Sequence, residues 1–310
     1  MIAFVLVDGV GIGARDPAVN PLARRDTLLS HFADGTGARL PRGGTVGAAD
    51  ASLGVPGRPQ SATGHTALLT GVNASAHIGQ HLLGFPNEKL RQLLAQQSLF
   101  RDLAARGRSG TYANSYRCAY LDALDLRHEH ASEPEPPLPV RASRIRPSAS
   151  TCAVRAAGHE FRTFDHLRRG EALYHDITNL VARTDGSEVP VRTPAEAAEI
   201  FADLGGPHDL VFFEFFRTDE AGHAQDFGAA DHALAELDEF LRRVIERLGP
   251  DDGLLVTSDH GNLEDLSQRQ HTLAQVPVLG FGTAAAAVGG IRSILDVHPA
   301  LLALAGARNA

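Results

Sequence analysis

The sequence predicts an α/β protein: a doubly wound, mostly parallel sheet with helices on both faces and a small cap-like insertion. Two observations lead there. Short runs of apolar, β-branched and aromatic residues, each about one buried strand long, alternate with stretches of helical periodicity. A proline-, serine- and charge-rich stretch interrupts that alternation in mid-chain.

Taken in order, IAFVLV (2–7) is apolar at every position, as a strand covered on both faces must be. RPQSATGHTALLTG (58–71) passes from a polar loop into an apolar, helix-like run at Ser61. A serine there is either an N-cap, accepting a backbone N–H of the first turn, or an exposed group at an anion-binding helix start. QSLFRDLAARG (97–107) has the spacing of an amphipathic helix. Residues 128–150, HEHASEPEPPLPVRASRIRPSAS, lack that spacing and read as a surface loop, insertion or active-site lid. The core is therefore assigned to 1–114 and 186–310, and a cap-like insertion to 115–185.

In TPAEAAEIFADLGG (193–206), Thr193 is placed as N-cap, Pro194 at the first helical position and Glu196 three beyond the cap, a capping box. DLVFFEFFRT (209–218) is a second buried strand, whose Glu214 needs a partner or a shifted pKa. AADHALAELDEFLRRVIERLG (229–249) is the clearest helix and stops at Gly249-Pro250. GLLVTS (253–258) and VPVLGFG (276–282) supply the remaining strands.

Composition narrows the function classes. The chain has 310 residues, 43% hydrophobic and 21% charged, as expected of a soluble globular protein. Its apolar runs break at charges or glycines before membrane-spanning length, and Asp8 comes too early for a signal peptide. A net charge of −8 points away from nucleic acid. Cys118 and Cys152 cannot build a disulfide framework, which favours a reducing cytoplasm. Neither a membrane nor a nucleic-acid partner is expected, and oligomeric state is left open.

The residues that carry chemistry stand just past the strand ends. The first strand runs into Asp8. The second runs into Asp219, with His223 four residues later, and the third into Asp259-His260, with His271 downstream. In doubly wound sheets, ligands bind beyond the carboxyl ends of the strands. Aspartate and histidine are ligands for divalent ions of intermediate hardness, manganese or zinc, with magnesium also admissible. Two such ions need about six protein ligands, which these strand ends supply.

MIAFVLVDGVGIG, QSATGHTALLTG, TDEAGH, TSDHGNLED and QHTLAQVPVL, in this order, resemble the alkaline phosphatase superfamily. The similar branch holds phosphopentomutase and cofactor-independent phosphoglycerate mutase, and the likeness covers about residues 1–75 and 205–285. It implies one metal held by Asp219, His223 and His271, and another by Asp8, Asp259 and His260, with Ser61 as nucleophile and ligand. Thr63 is the rival nucleophile, read as a helix-start residue near the phosphate. Arg58 is a candidate phosphate contact. His65 is expected to orient the Gly64-His65 turn without touching metal, and Asn262 to support His260. Asp176 or Asn179 is placed near the substrate. His128, His130, His159, His166, His175 and His208 are read as surface or capping residues.

The implied activity is phosphoryl transfer from a small-molecule phosphate ester through a phosphoserine. Neither mutase's substrate-binding domain has a counterpart here, and the smaller insertion favours hydrolysis by a phosphatase or phosphodiesterase over a phosphomutase. A sulfatase is disfavoured because Ser61 lacks the Cys/Ser-x-Pro-x-Arg motif. A non-catalytic, metal-stabilised binding protein is the alternative from another class.

Overall fold

The computed structural model describes residues 1–126, 135, 136, 138 and 140–307. Six strands form one sheet: β1 (Ile2–Val7), β2 (Thr45–Ala49), β3 (Gly110–Tyr112), β4 (Leu210–Phe215), β5 (Gly253–Thr257) and β6 (Val276–Gly282), in the order β2-β6-β5-β1-β4-β3. β5, β1, β4 and β3 run parallel, whereas β6 and β2 add an antiparallel edge. The mostly parallel α/β sheet expected from sequence is thus present. The 276–282 strand runs antiparallel to its neighbour β5, an orientation that its apolar composition does not encode.

β1 lies at the centre, with Leu6 opposite both Glu214 and Thr257. All six of its residues are buried, as are the six of β4. Alternation along these strands divides the core into two layers. Ile2, Phe4, Leu6, Leu210 and Phe212 face the helix Ser61–Thr70 and its neighbours. Ala3, Val5, Val7, Val211, Phe213 and Phe215 face the helices Pro194–Gly205 and Phe227–Arg247. Phe4 and Phe212 stack with ring centroids 4.9 Å apart.

The capping box at Thr193 forms as the sequence predicts: its hydroxyl accepts the Glu196 N–H while the Glu196 carboxylate accepts the Thr193 N–H. The 229–249 helix begins slightly earlier and ends at Arg247, where Leu248 turns extended ahead of Gly249-Pro250. β2 and β3 carry no sequence signal because one is a partly exposed edge of threonine, valine, glycine and alanine and the other is three residues long.

Segment 115–185 contributes to more than one layer. Its helix Ala149–Ala156 places Ala149, Ala153 and Val154 in the same apolar cluster as the Ser61–Thr70 helix. Phe164, Leu167, Ala172 and Ala182 form a separate small cluster with Val189. Among the described residues, no helix is long and apolar enough to cross a membrane. His128 and His130 lie outside the described residues.

Candidate active site

The carboxyl ends of β1, β4 and β5 converge, because neighbouring parallel strands end side by side. Asp8 follows β1 and is fixed by its N–H, which donates to the Phe215 carbonyl at 2.9 Å. Gly9 then turns left-handed at φ 70°, and a Cβ there would sit 2.5 Å from Asp219 Oδ1. Only glycine permits that approach. After β4, the helix Arg217–Ala224 carries Asp219 and His223 one turn apart, with His223 Nε2 3.2 Å from Asp219 Oδ2. After β5, Asp259 and His260 are both fully buried.

His260 sits at the centre of the cluster. Its Nε2 lies 3.0 Å from Ser61 Oγ, 3.1 Å from Asp259 Oδ2 and 3.4 Å from Asp8 Oδ1. Its ring stacks on His271 at 3.6 Å. His271 Nε2 is 3.2 Å from His223 Nε2 and 3.6 Å from Asp219 Oδ1. The opposite nitrogens of these two histidines are held by backbone: His271 Nδ1 by Pro59 O at 2.9 Å and His223 Nδ1 by Arg269 O at 2.7 Å. Each ring therefore donates from Nδ1, leaving the Nε2 lone pair aimed into the cluster.

Ser61 is the first residue of its helix, and Gln60 is the N-cap, without a side-chain cap hydrogen bond. The N-cap reading of Ser61 is therefore corrected by one residue. The first N–H groups of the helix are left for another acceptor, and Ser61 Oγ points to His260. Thr63, by contrast, is fully buried; its hydroxyl donates to Gln60 O at 3.0 Å and accepts the Leu82 N–H at 3.3 Å. That side chain is occupied in fixing the loop, not turned toward a phosphate position. Arg58 hydrogen-bonds Gln270, beside His271, and stays outside the cavity next to Ser61.

Three neighbours differ from the sequence expectation or add to it. His65 is inside the cluster, with Nε2 3.2 Å from Asp259 Oδ2 and 4.0 Å from Asp8 Oδ2. Its Nδ1 faces Glu214 Oε1 at 3.4 Å. Glu214 finds the partners that its burial demands, since Tyr112 donates to Oε2 at 2.6 Å and Ser150 to Oε1. Asn262 donates to Asp219 Oδ1 at 2.7 Å, so it supports Asp219 and not His260. Glu264 was not singled out by the sequence: it accepts the N–H groups of Gly11 at 2.9 Å and Asn262 at 2.8 Å and the Thr272 hydroxyl, joining three loops. The available signal was Gly11, where a Cβ would collide with the Glu264 carboxylate.

The electrostatics fit a cationic occupant. Burial, then Asp259 and Asp219, push the Asp8 carboxyl well above its usual range. Burial also raises Asp259, but His260 and His65 outweigh it and hold that carboxyl low. Burial lowers His65, while Asp259 and Glu214 reverse this and bring it to about 9; burial dominates at His260, lowered to about 4. Asp8 Oδ1 and Asp259 Oδ2 receive no hydrogen bond despite their short distances to His260. Their lone pairs converge with the imidazole nitrogens on common points, the arrangement a divalent ion requires. Donor atoms of Asp219, His260 and His271 fall within 4.8 Å of one another, as do those of Asp8, His65 and Asp259.

A cavity of about 480 Å³ opens beside Ser61, with Asp8, Ser61 and His65 at its base. Much of its described wall comes from 112, 114–117, 120, 138, 140, 145, 148–149, 174–175 and 185. His175 belongs to this wall, between Tyr174 and Phe216 at ring distances of 4.2 and 5.6 Å, and is not a surface or capping residue. His166 does cap a helix, accepting the Thr163 N–H at 3.2 Å, and His159 packs on Phe100. Asp176 accepts the N–H groups of Asn179 and Val181, and Asn179 donates to Pro190 O; neither lines the cavity.

A family model for the Metalloenzyme superfamily matches residues 1–304. The chain belongs to the Metalloenzyme superfamily. A 127-residue stretch is 32% identical to 2,3-bisphosphoglycerate-independent phosphoglycerate mutase of Serratia proteamaculans, covering 38% of this chain and 24% of that one. A 114-residue stretch is 37% identical to phosphopentomutase of a Methylobacterium species, covering 36% and 27%. The matches thus span about a quarter of the length of these two curated relatives. Among solved structures, the PH0037 protein from Pyrococcus horikoshii superimposes with TM-score 0.58 at 13% identity, over 98% of this chain and 96% of that one. Alkaline phosphatase from the Antarctic bacterium TAB5 gives 0.56 at 10%, over 98% and 97%. Those two likenesses are of fold. They agree with the alkaline phosphatase resemblance carried by the motifs of this Metalloenzyme superfamily member.

Proposed function

We propose that this protein is a di-metal phosphoryl-transfer enzyme that hydrolyses a small phosphate ester through phosphorylated Ser61. The observation that carries the reading is Ser61 Oγ, 3.0 Å from His260 Nε2, at the junction of the strand-end cluster and the cavity. One ion would be held by Asp219, His223 and His271, the other by Asp8, Asp259, His260 and Ser61. Bound manganese or zinc, or magnesium, would lower the serine pKa and neutralise charge on the phosphate.

The chain's own groups supply the rest. Ser61 Oγ attacks phosphorus as the ester oxygen departs, forming the Oγ–P bond. Water then attacks that phosphorus, and orthophosphate leaves with Ser61 restored. The uncapped helix start at Gln60-Ser61 offers backbone N–H groups to the phosphate. Asn262 orients Asp219, and the Glu214–His65 pair orients Asp259. Segment 115–185 acts as a cap over Ser61. Small esters are the proposed partners; a chain with two cysteines, too few for a disulfide framework, favours a cytoplasmic setting.

Phosphomutase activity is the second reading, favoured by the names of the two mutases that the chain matches in part. Product analysis separates the two. Release of orthophosphate from a panel of esters with added manganese supports hydrolysis; isomerised ester without release supports the mutase. Absence of turnover with every divalent ion, with Ser61→Ala binding orthophosphate as wild type does, returns the protein to the non-catalytic class.

A further inference from the structure

The cavity beside Ser61 is built for an apolar guest. The chain has four tyrosines and no tryptophan, and Tyr112, Tyr116, Tyr120 and Tyr174 all line this one cavity. Three of their hydroxyls are already engaged: Tyr112 with Glu214, Tyr116 with Thr151 at 3.1 Å, and Tyr120 with Arg146 O at 3.1 Å. What these side chains have left to present is ring surface. Phe85 and Ile145 extend the apolar wall.

Beyond the strand-end cluster, the charged residues among the described lining are Arg117 and Asp185. Among the described lining residues the one guanidinium is Arg117, and Asp185 already holds it at 2.6 Å. His175 is kept neutral by burial, with Arg217 and Arg117 adding to the effect and lowering it to about 3. Recognition of a second anionic group on the substrate, a carboxylate or another phosphate, needs a cation free to pair with it. A ring-sized apolar group needs only the tyrosine faces and excluded water.

Resting on the phosphoester reading, we propose that the alcohol portion of the substrate is an apolar, ring-sized group without a second anionic centre. The phosphate would sit at Ser61 and the ring between the Tyr116–Tyr120 side and the Tyr174 side of the cavity.

The test measures binding to the metal-loaded protein by calorimetry, so leaving-group reactivity does not enter. The probes are 2-naphthylmethylphosphonate, methylphosphonate and 3-phosphoglycerate. The naphthyl compound should bind about 30-fold more tightly than either other probe, the gain expected from burying one fused ring system. Tyr120→Ala should weaken it roughly 10-fold and Tyr120→Phe should leave it unchanged, since the ring and not the hydroxyl is used. Ile145→Ala, with a roughly 3-fold loss, serves if Tyr120→Ala does not fold. Equal affinity for all three probes, or tighter binding of 3-phosphoglycerate, overturns the proposal. Parallel turnover of 2-naphthylmethyl phosphate and glycerol 3-phosphate separates the two ideas. Naphthyl preference in binding without turnover of either ester rejects phosphoryl transfer and keeps the apolar pocket. Turnover without preference rejects the pocket.

Discussion

The strand-end cluster and the cavity wall meet at Ser61, yet they are made in different ways. The cluster is polar and mostly buried: Asp8, Asp259, His260 and Glu214 are each 7% exposed or less and stand on or just past the central strands, while His223 is exposed. The wall is largely aromatic and apolar, and much of it comes from the described residues of segment 115–185. Under the proposed function, the sheet would fix the chemistry while the wall would fix which ester arrives. A family can keep the first region and replace the second, and this chain matches its mutase relatives over only part of their length.

The largest effect should come from Ser61→Ala, which removes the proposed nucleophile where the two regions touch. Steady-state assays with an aryl phosphate and manganese should show at least a ~1,000-fold loss of kcat, while the wall still binds naphthylmethylphosphonate. Retained turnover would remove Ser61 from the chemistry. Chelation comes next and acts on the cluster alone. At metal concentrations on the order of 1,000 times Kd, ligation should add about 4 kcal/mol of stability. Calorimetric scans should therefore show a Tm several degrees lower after dialysis against chelator, restored by manganese or zinc.

Glu214→Ala and Ile145→Ala set the two regions directly against each other. The first leaves Tyr112, Ser150 and His65 facing a buried gap and should cost about 3 kcal/mol in urea unfolding. The second, on the half-exposed wall, should cost about 1 kcal/mol. Equal costs would erase the distinction between a buried base and a half-exposed wall.

A smaller effect concerns His175. Its pKa is lowered to about 3 in the folded protein, against 6.5 ordinarily, so only the unfolded chain takes up this proton between those values. Its neutral form contributes fully above about pH 6.5, and stability falls as pH drops below it, by up to roughly 1.4 kcal/mol per pH unit. Replacing it, as His175→Asn, should narrow the gap between urea midpoints at pH 7 and pH 5. An unchanged gap contradicts the assignment.

Legibility follows the same division. Asp8, Asp219, Asp259 and His260 could be read from the chain because each stands just past an apolar run, a local signal. Thr193, Pro194 and Glu196 declared their helix start for the same reason. Glu214 was legible as an anomaly, a carboxylate on a buried strand, but its partners Tyr112, Ser150 and His65 arrive from three other segments. Glu264 meets Gly11 across 253 residues, beyond any local pattern. His175 looked ordinary because Phe216, which packs on its ring, comes from a distant strand end. Thr63 and Asn262 had the right neighbourhood, but hydrogen bonds turned them elsewhere.

The central claim is that Ser61 carries the phosphoryl group. Acid quench of the manganese-loaded protein during turnover of an aryl phosphate, followed by peptide mass spectrometry, tests it directly. One phosphoryl group on the peptide containing Ser61, localised to Ser61 and absent from Ser61→Ala, is the predicted result. Continued turnover with that peptide unmodified, or with the group on Thr63, would contradict the account.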